Sequence, residues 1–408
     1  MKLSGQILAK INPEIVKQLC EIAPLVAKKD SSLWPLEQET INRLGWIDLP
    51  TKSRALLPEL DALSAWTRSN GLTEIVLCGM GGSSLAPEVI ASTYKKSLTI
   101  LDSTDPVQVN NSVPSDLNKS VIVISSKSGT TIETLSQYEF YVSKFKQANL
   151  NPTEHIVIVT DPGTPLDVIA RNEGYKVVNA DPNVGGRFSA LSAFGLVPAA
   201  LIGVDISLLL DDAEKLSPSL SSMDSPAIKI AASLFSLSDQ VINFCDKNST
   251  TPGLSYWIEQ LIAESTGKNS NGRLPVVIEE STESFSGITV GFTPGSYDLT
   301  IEATLGEQFL LWEWVTALLC FLLKVNPFNQ PNVAEAKDRT STILSSLTNN
   351  GVNTPTPTYE DSDYLIFSSQ KISNLSEFLK LKVSYFAILA YLDRGSDGEL
   401  LKIRELVA

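Results

Sequence analysis

A chain of 408 residues, 43% of them apolar, can bury a sizeable core, and its length points to two domains rather than one. A net charge of −14 excludes a nucleic-acid partner, which would need a basic surface to release counterions, so any anionic substrate must be held by local donors against the overall field. Cys20, Cys78, Cys245 and Cys320 lie far apart with no CxxC pair, which suggests neither a disulfide framework nor a zinc knuckle; they read as reduced, mostly buried thiols.

The first stretch, residues 1–65, reads as a helical packing extension broken at Trp46-Ile47-Asp48-Leu49-Pro50. Its apolar run Ile7-Leu8-Ala9, between Lys2 and Lys10, is too short for a secretory signal. From Thr73 a rhythm begins, with short β-branched runs at Ile75–Leu77, Leu98–Leu101, Val121–Ile124, Ile156–Val159 and Lys176–Val178. Each ends in a polar or glycine turn, and several lead into an amphipathic segment, the pattern of a parallel sheet covered on both faces. A Ser/Pro/Asp-rich stretch, Asp211–Ser225, is the expected domain boundary, giving domains at 66–210 and 226–408. The second series has strand candidates at Val241–Phe244, Val276–Ile278, Ile288–Val290 and Tyr364–Phe367, with helical patterns at Gln308–Leu323 and Val333–Leu347. The most apolar run, Trp314–Leu323, stands between Glu313 and Lys324 and is shorter than the roughly 20 residues of a bilayer span, so it reads as a core helix. The expected fold class is α/β, three-layer αβα, with no membrane partner and a cytoplasmic location.

Ligands of open parallel sheets sit at the carboxyl ends of strands. Cys78-Gly79-Met80-Gly81-Gly82-Ser83-Ser84 follows the first strand, and its glycines let a backbone approach a ligand while Ser83 and nearby amides donate to an anion. A dinucleotide fingerprint competes, with Asp102 placed as the ribose acid, but the third glycine position holds Ser84; a purely structural turn also stays open. Ser125-Ser126-Lys127-Ser128-Gly129-Thr130-Thr131 follows the third strand and combines hydroxyls, an ammonium and a glycine before a helix. Hydroxyls alone serve as N-caps, but a cap needs no cation, so Lys127 favours anion binding, and a phosphomonoester between the two loops accounts for both.

Five ordered motifs, from about Ile75 to Lys337, resemble those of phosphoglucose isomerases. Gly79-Met80-Gly81-Gly82-Ser83 is similar to the first sugar-binding loop, and Ser126-Lys127-Ser128-Gly129-Thr130-Thr131-Ile132-Glu133-Thr134 to the phosphate loop. Val184-Gly185-Gly186-Arg187-Phe188-Ser189 with Ser192–Leu196 resembles the signature segment. Gln260 with Glu264-Ser265-Thr266-Gly267-Lys268 resembles the segment of the catalytic carboxylate, and Asn326–Pro331 with Val333 and Lys337 that of the active-site lysine. The Leu101–Pro106 stretch is shared with the isomerase halves of bifunctional transaldolase/phosphoglucose isomerase proteins; no transaldolase barrel is expected here.

The resemblance implies two sugar-isomerase (SIS) domains, each with a central parallel sheet, a homodimer, and isomerisation of glucose 6-phosphate and fructose 6-phosphate without cofactor or metal. It assigns catalysis to Glu264, Arg187 and Lys337. Substrate binding falls to Gly82, Ser83, Ser126, Lys127, Ser128, Gly129, Thr130, Thr131 and Gln260. The chemistry needs one base moving a proton between neighbouring carbons, for which a partly dehydrated Glu264 suits, and a fixed cation for the enediolate, for which Arg187 suits. Such isomerases generally open the sugar ring with a histidine, and the only one here, His155, starts a strand at the wrong end of the sheet. Ring opening then falls to Lys337, a water, or the solution. Alternative readings are a non-catalytic sugar-phosphate-binding regulator and a broader phosphoglucose/phosphomannose isomerase.

Overall fold

A computed structural model describes residues 1–237, 239–268, 271–278, 286–350, 356–360 and isolated positions between 362 and 391. The chain opens with the strand β1 (Lys2–Ser4) and the helices α1 (Pro13–Ala27), α2 (Gln38–Asn42), α3 (Leu49–Lys52) and α4 (Leu57–Ser69). A regular alternation follows: β2 (Glu74–Gly79), α5 (Leu85–Thr93), β3 (Thr99–Leu101), α6 (Pro106–Asn111), β4 (Ser120–Ser125), α7 (Ile132–Gln147), β5 (Ile156–Thr160), α8 (Pro165–Glu173) and β6 (Lys176–Asn179). Helices α9 (Ala193–Leu201), α10 (Ile206–Leu220) and α11 (Pro226–Phe235) lead to β7 (Val241–Cys245), α12 (Leu254–Thr266), β8 (Leu274–Val277), β9 (Ile288–Gly291), β10 (Leu299–Glu302) and α13 (Leu305–Leu323).

The first sheet has the order β3-β2-β4-β5-β6 and is parallel throughout. Alternation of side chains sends Val76, Cys78, Ile122 and Ile158 into one core with Tyr141 and Phe145 of α7. It sends Ile75, Leu77, Val121 and Val157 into another with Ile90 of α5 and Leu196 of α9. All six residues of β4 are buried, each aliphatic one contributing about 1.5–3 kcal/mol of transfer free energy. The chain steps from β2 outward to β3, then crosses back to place β4 on the other side of β2. Connections therefore diverge above β2 and β4, the place where such sheets leave a crevice. Gly79 pairs with Ser125, so the two loops expected to bind an anion leave the sheet side by side.

The second sheet has the order β1-β10-β9-β7-β8. Ile242, Phe244, Val290 and Ile301 join the large core, together with α11, α12 and α13. Helix α13 is long and apolar enough to cross a membrane, but 94% of its apolar window is buried inside the protein, so it is a core helix, as expected for the run Trp314–Leu323 within it. Both sheets lie in one compact unit, residues 1–104 and 109–329. A second unit, residues 105–108 and 330–408, contains α14 (Pro331–Asn350) and the antiparallel pair β11 (Tyr359–Glu360) and β12 (Leu365–Ile366).

Two expectations need correction, and the stretch expected to hold the domain boundary has a definite local structure. The N-terminus is not only helical: Lys2–Ser4 adds an antiparallel edge strand against Thr300–Glu302, made possible by Gly5, at φ 142°, whose missing Cβ would stand 2.2 Å from the Asp298 carbonyl oxygen. The Asp211–Ser225 stretch is helical as far as Leu220, because Leu209, Leu210, Ala213, Leu216 and Leu220 form an apolar stripe that outweighs Pro218 in the last turn. The last expected strand, Tyr364–Phe367, is not part of the second sheet over its described residues; Leu365–Ile366 pairs with Tyr359–Glu360 instead, and Tyr364 lies outside the described residues.

Candidate active site

The turn after β2 carries no side chain at the two points of closest approach. A Cβ on Gly81, which stands at φ +55°, would lie 2.5 Å from Gln260 Nε2, and one on Gly82 would lie 2.3 Å from the Gly186 carbonyl oxygen. The glycines thus allow the β2 turn to touch both α12 and the turn after β6. Ser83 and Ser84 are buried, and the Ser84 hydroxyl donates to the Gly81 carbonyl at 3.1 Å.

The turn after β6 presents Arg187, which is only 3% exposed. Its Nη1 donates to Glu264 Oε2 at 2.9 Å, its Nε to Ser265 Oγ at 3.0 Å, and its Nη2 to the carbonyls of Pro327 at 2.7 Å and Asn329 at 3.3 Å. The neighbouring Phe188 anchors the turn, its ring 5.3 Å from Trp46 and 5.4 Å from Phe328 between centroids. Burial lowers the Arg187 pKa, opposed by Glu264, yet a guanidinium stays charged throughout the accessible range.

Gln260 and Glu264 stand one helical turn apart on α12, and Gln260 Nε2 donates to Glu264 Oε1 at 2.8 Å. Each carboxylate oxygen therefore has one donor and a remaining lone pair. The Glu264 side chain is 29% exposed, so it faces both its partners and the open side of the site. Sequence reasoning brings Arg187, Gln260, Glu264 and Gly82 forward separately; the structure brings them together.

In the loop after β4, Ser128 and Thr130 are exposed and share a hydrogen bond of 2.9 Å between their hydroxyls, while the buried Ser126 donates to Thr131 at 3.2 Å. Gly129 stands at φ +63°, with Thr164 Oγ1 2.8 Å from where a Cβ would be. The 16-residue helix α7 begins directly after Thr131 without a side-chain cap, leaving its first amides available to an anion. Among the described residues, Ser125 Oγ and Thr134 Oγ1 are buried with no protein partner.

Lys127, expected to face an anion directly, is paired with Asp161 at 2.5 Å, the two side chains 19% and 13% exposed. Burial lowers the Lys127 pKa and raises that of Asp161, outweighing the attraction within the pair. The Asp161 amide also donates to the Lys127 carbonyl at 3.3 Å, so the ion pair ties the loop to the end of β5. Lys337 lies in the second unit, exposed on α14. His155 is 6% exposed, its Nδ1 is 3.0 Å from the Ser120 carbonyl, and its ring stacks on Phe145, a core role at the amino end of β5.

Sequence reasoning gives Lys268 and Ser265 no role beyond membership of a motif, and it passes over Asp161 altogether. The available signals were Lys268 four residues after Glu264, and an acid directly following a parallel strand.

This architecture defines the class: an α/β protein with its polar site at the switch point of a parallel sheet, where a carboxylate is held against a buried guanidinium. A phosphoglucose isomerase family profile matches residues 55–270, more than half the chain, and the chain belongs to that family. A Haloarcula marismortui protein named "Probable glucose-6-phosphate isomerase" is 31% identical over 261 residues, 60% of this chain and 56% of that protein. The glucose-6-phosphate isomerase of Methanocaldococcus jannaschii is 29% identical over 308 residues, 71% of this chain and 73% of that one. The chain spans little more than half the length of the first two curated relatives it matches, 56% and 59%. A solved Thermus thermophilus structure described as a hypothetical protein superposes with a TM-score of 0.72 at 25% identity, covering 84% of this chain and 99% of that one. A Chlamydia trachomatis glucose-6-phosphate isomerase shares the fold, with a TM-score of 0.69 at 17% identity over 82% of this chain and 86% of that one.

Proposed function

We propose that this chain interconverts glucose 6-phosphate and fructose 6-phosphate through an enediolate. The observation that carries the reading is the Arg187–Glu264 pair, 2.9 Å apart, packed against the glycine turn at the switch point. Glu264 takes the proton from C2 of the open-chain aldose and returns it to C1, its free lone pairs facing the open side of the site. Gln260 holds the carboxylate in one orientation. Arg187 stabilises negative charge developing on the sugar oxygens, and its rigid setting by four acceptors means little reorganisation during reaction. The phosphate sits against Ser126–Thr131 and the first amides of α7, with Ser83 and the Gly82 backbone on its other side. In this reading Lys337 serves ring opening, the first sheet and strands β7 to β10 of the second belong to SIS domains at 66–210 and 226–408, with β1 added from the N-terminal extension, and the enzyme is a cytoplasmic homodimer.

A coupled assay following glucose 6-phosphate formed from fructose 6-phosphate tests the reading. Turnover by the wild type, unaffected by chelator, supports it. Tight binding of the sugar phosphate without turnover would instead favour a regulatory binding protein.

A further inference from the structure

Two buried cations, Arg187 and Lys268, meet one partly exposed carboxylate, Glu264, beneath the site; the other carboxylate in range, Glu37, is exposed and accepts from the Asn329 side-chain amide. Arg187 is ion-paired with Glu264, but Lys268, 8% exposed, has no carboxylate within salt-bridge distance among the described residues. Its ammonium donates instead to the backbone carbonyls of Asn326 and Asn329, the latter at 2.9 Å. The Asn329 carbonyl also accepts from Arg187 at 3.3 Å, and Pro327 between them accepts from Arg187 at 2.7 Å. Two buried cations thus grip one short turn from two sides. Keeping a second cation there is costly in itself, because it is desolvated and repelled by Arg187. Carbonyl dipoles offset only part of that cost, and a neutral side chain of the same length would fill the space.

We propose that Lys268 is a positioning residue for the isomerase reaction: its ammonium fixes the Asn326–Asn329 carbonyls that seat Arg187 and keeps the buried cluster one positive charge in excess, ready for the enediolate. The inference rests on the isomerase reading of the same site. The groups facing Lys268 are Cys320 of α13, Arg187 of the turn after β6, Glu37 of the segment before α2, and Glu264 of α12. Burial dominates them and lowers the Lys268 pKa to about 8, while burial pushes the Cys320 thiol up to about 12, so Cys320 is silent where Lys268 titrates. A neutral amine still donates to both carbonyls. Loss of its proton therefore removes the charge while leaving the turn held, and the rate falls on the alkaline side.

The test is kcat and KM from about pH 6 to 10.5 for the wild type, Lys268→Arg and Lys268→Met, with thermal melting of each. The wild type should show an alkaline limb in kcat with a midpoint near the pKa of about 8. Lys268→Arg should move that limb up by at least about one pH unit, since a guanidinium does not deprotonate there. Lys268→Met should lower kcat about tenfold to a hundredfold with little change in KM, and should lack the limb. A merely structural role predicts lower melting temperatures with an unshifted limb. An unshifted limb in Lys268→Arg, or a Lys268→Met kcat within about twofold of wild type, overturns the inference. A wild type without turnover overturns the isomerase reading and this one with it.

Discussion

Replacing Gly82 with alanine tests whether the β2 turn and the Arg187 turn act as one assembly. The added Cβ would lie 2.3 Å from the Gly186 carbonyl oxygen and 2.7 Å from its carbon, against an ordinary contact of at least 3.4 Å. The obstacle is backbone, so relief requires the turns to separate by about 1 Å rather than a side chain to rotate. Overpacking of this kind costs about 1–3 kcal/mol, and a misplacement of about 1 Å in a catalytic group costs about a hundredfold in rate. Gly186 supplies the control, because a Cβ there meets no atom within 4 Å. Thermal melting and kcat of Gly82→Ala and Gly186→Ala should show both effects in the first variant and an unchanged melting temperature in the second. Wild-type melting and kcat in Gly82→Ala, or equal destabilisation by Gly186→Ala, would refute the reasoning.

Two further predictions concern charge. Glu313 of α13 is fully buried, neither oxygen has a partner among the described residues, and burial raises its pKa well above 4.5. Below that ordinary value both folded and unfolded states are protonated; above it only the unfolded state ionises. Stability relative to Glu313→Gln should therefore fall as pH rises, by up to about 1.4 kcal/mol per unit until the folded-state pKa is passed, as read by urea unfolding from about pH 4 to 8. A pH-independent difference would show that Glu313 is not protonated in the core. At the anion loop, Asp161→Asn strands Lys127 as a largely buried unpaired cation and should raise KM and lower stability by about 3 kcal/mol, with partial rescue in Lys127→Met/Asp161→Asn. A lower KM in Asp161→Asn would mean that Lys127 prefers the ligand to the aspartate.

The first sheet was legible because its central strands are continuous β-branched runs, buried on both faces, each closed by a polar or glycine turn. Val121–Ile124 and Ile156–Val159 signal themselves locally, and the loops that follow them inherit their positions. What the sequence hides is pairing at long range. Lys2–Ser4 is too short to read as a strand alone and exists because Thr300–Glu302 offers it an edge; β10 lacked a clear run for the same reason. Helix α10 was obscured by serines and Pro218, although its apolar stripe was present. At the site, the motifs resembling those of phosphoglucose isomerases indicated Glu264, Arg187 and Gln260, but not the diversion of Lys127 to Asp161. That pair joins the ends of two different strands, and no spacing rule connects them. The carbonyls of Pro327 and Asn329 that hold Arg187 were equally invisible, since backbone acceptors leave no trace in residue identity.

Isotope exchange measures proton transfer at the sugar carbons most directly. Fructose 6-phosphate incubated with the enzyme in deuterium oxide should acquire deuterium at C1, and the glucose 6-phosphate formed should carry it at C2. Glu264→Gln should bind the sugar phosphate with wild-type affinity while exchange slows by at least about a thousandfold. Exchange by Glu264→Gln at the wild-type rate would contradict the assignment of Glu264 as the base.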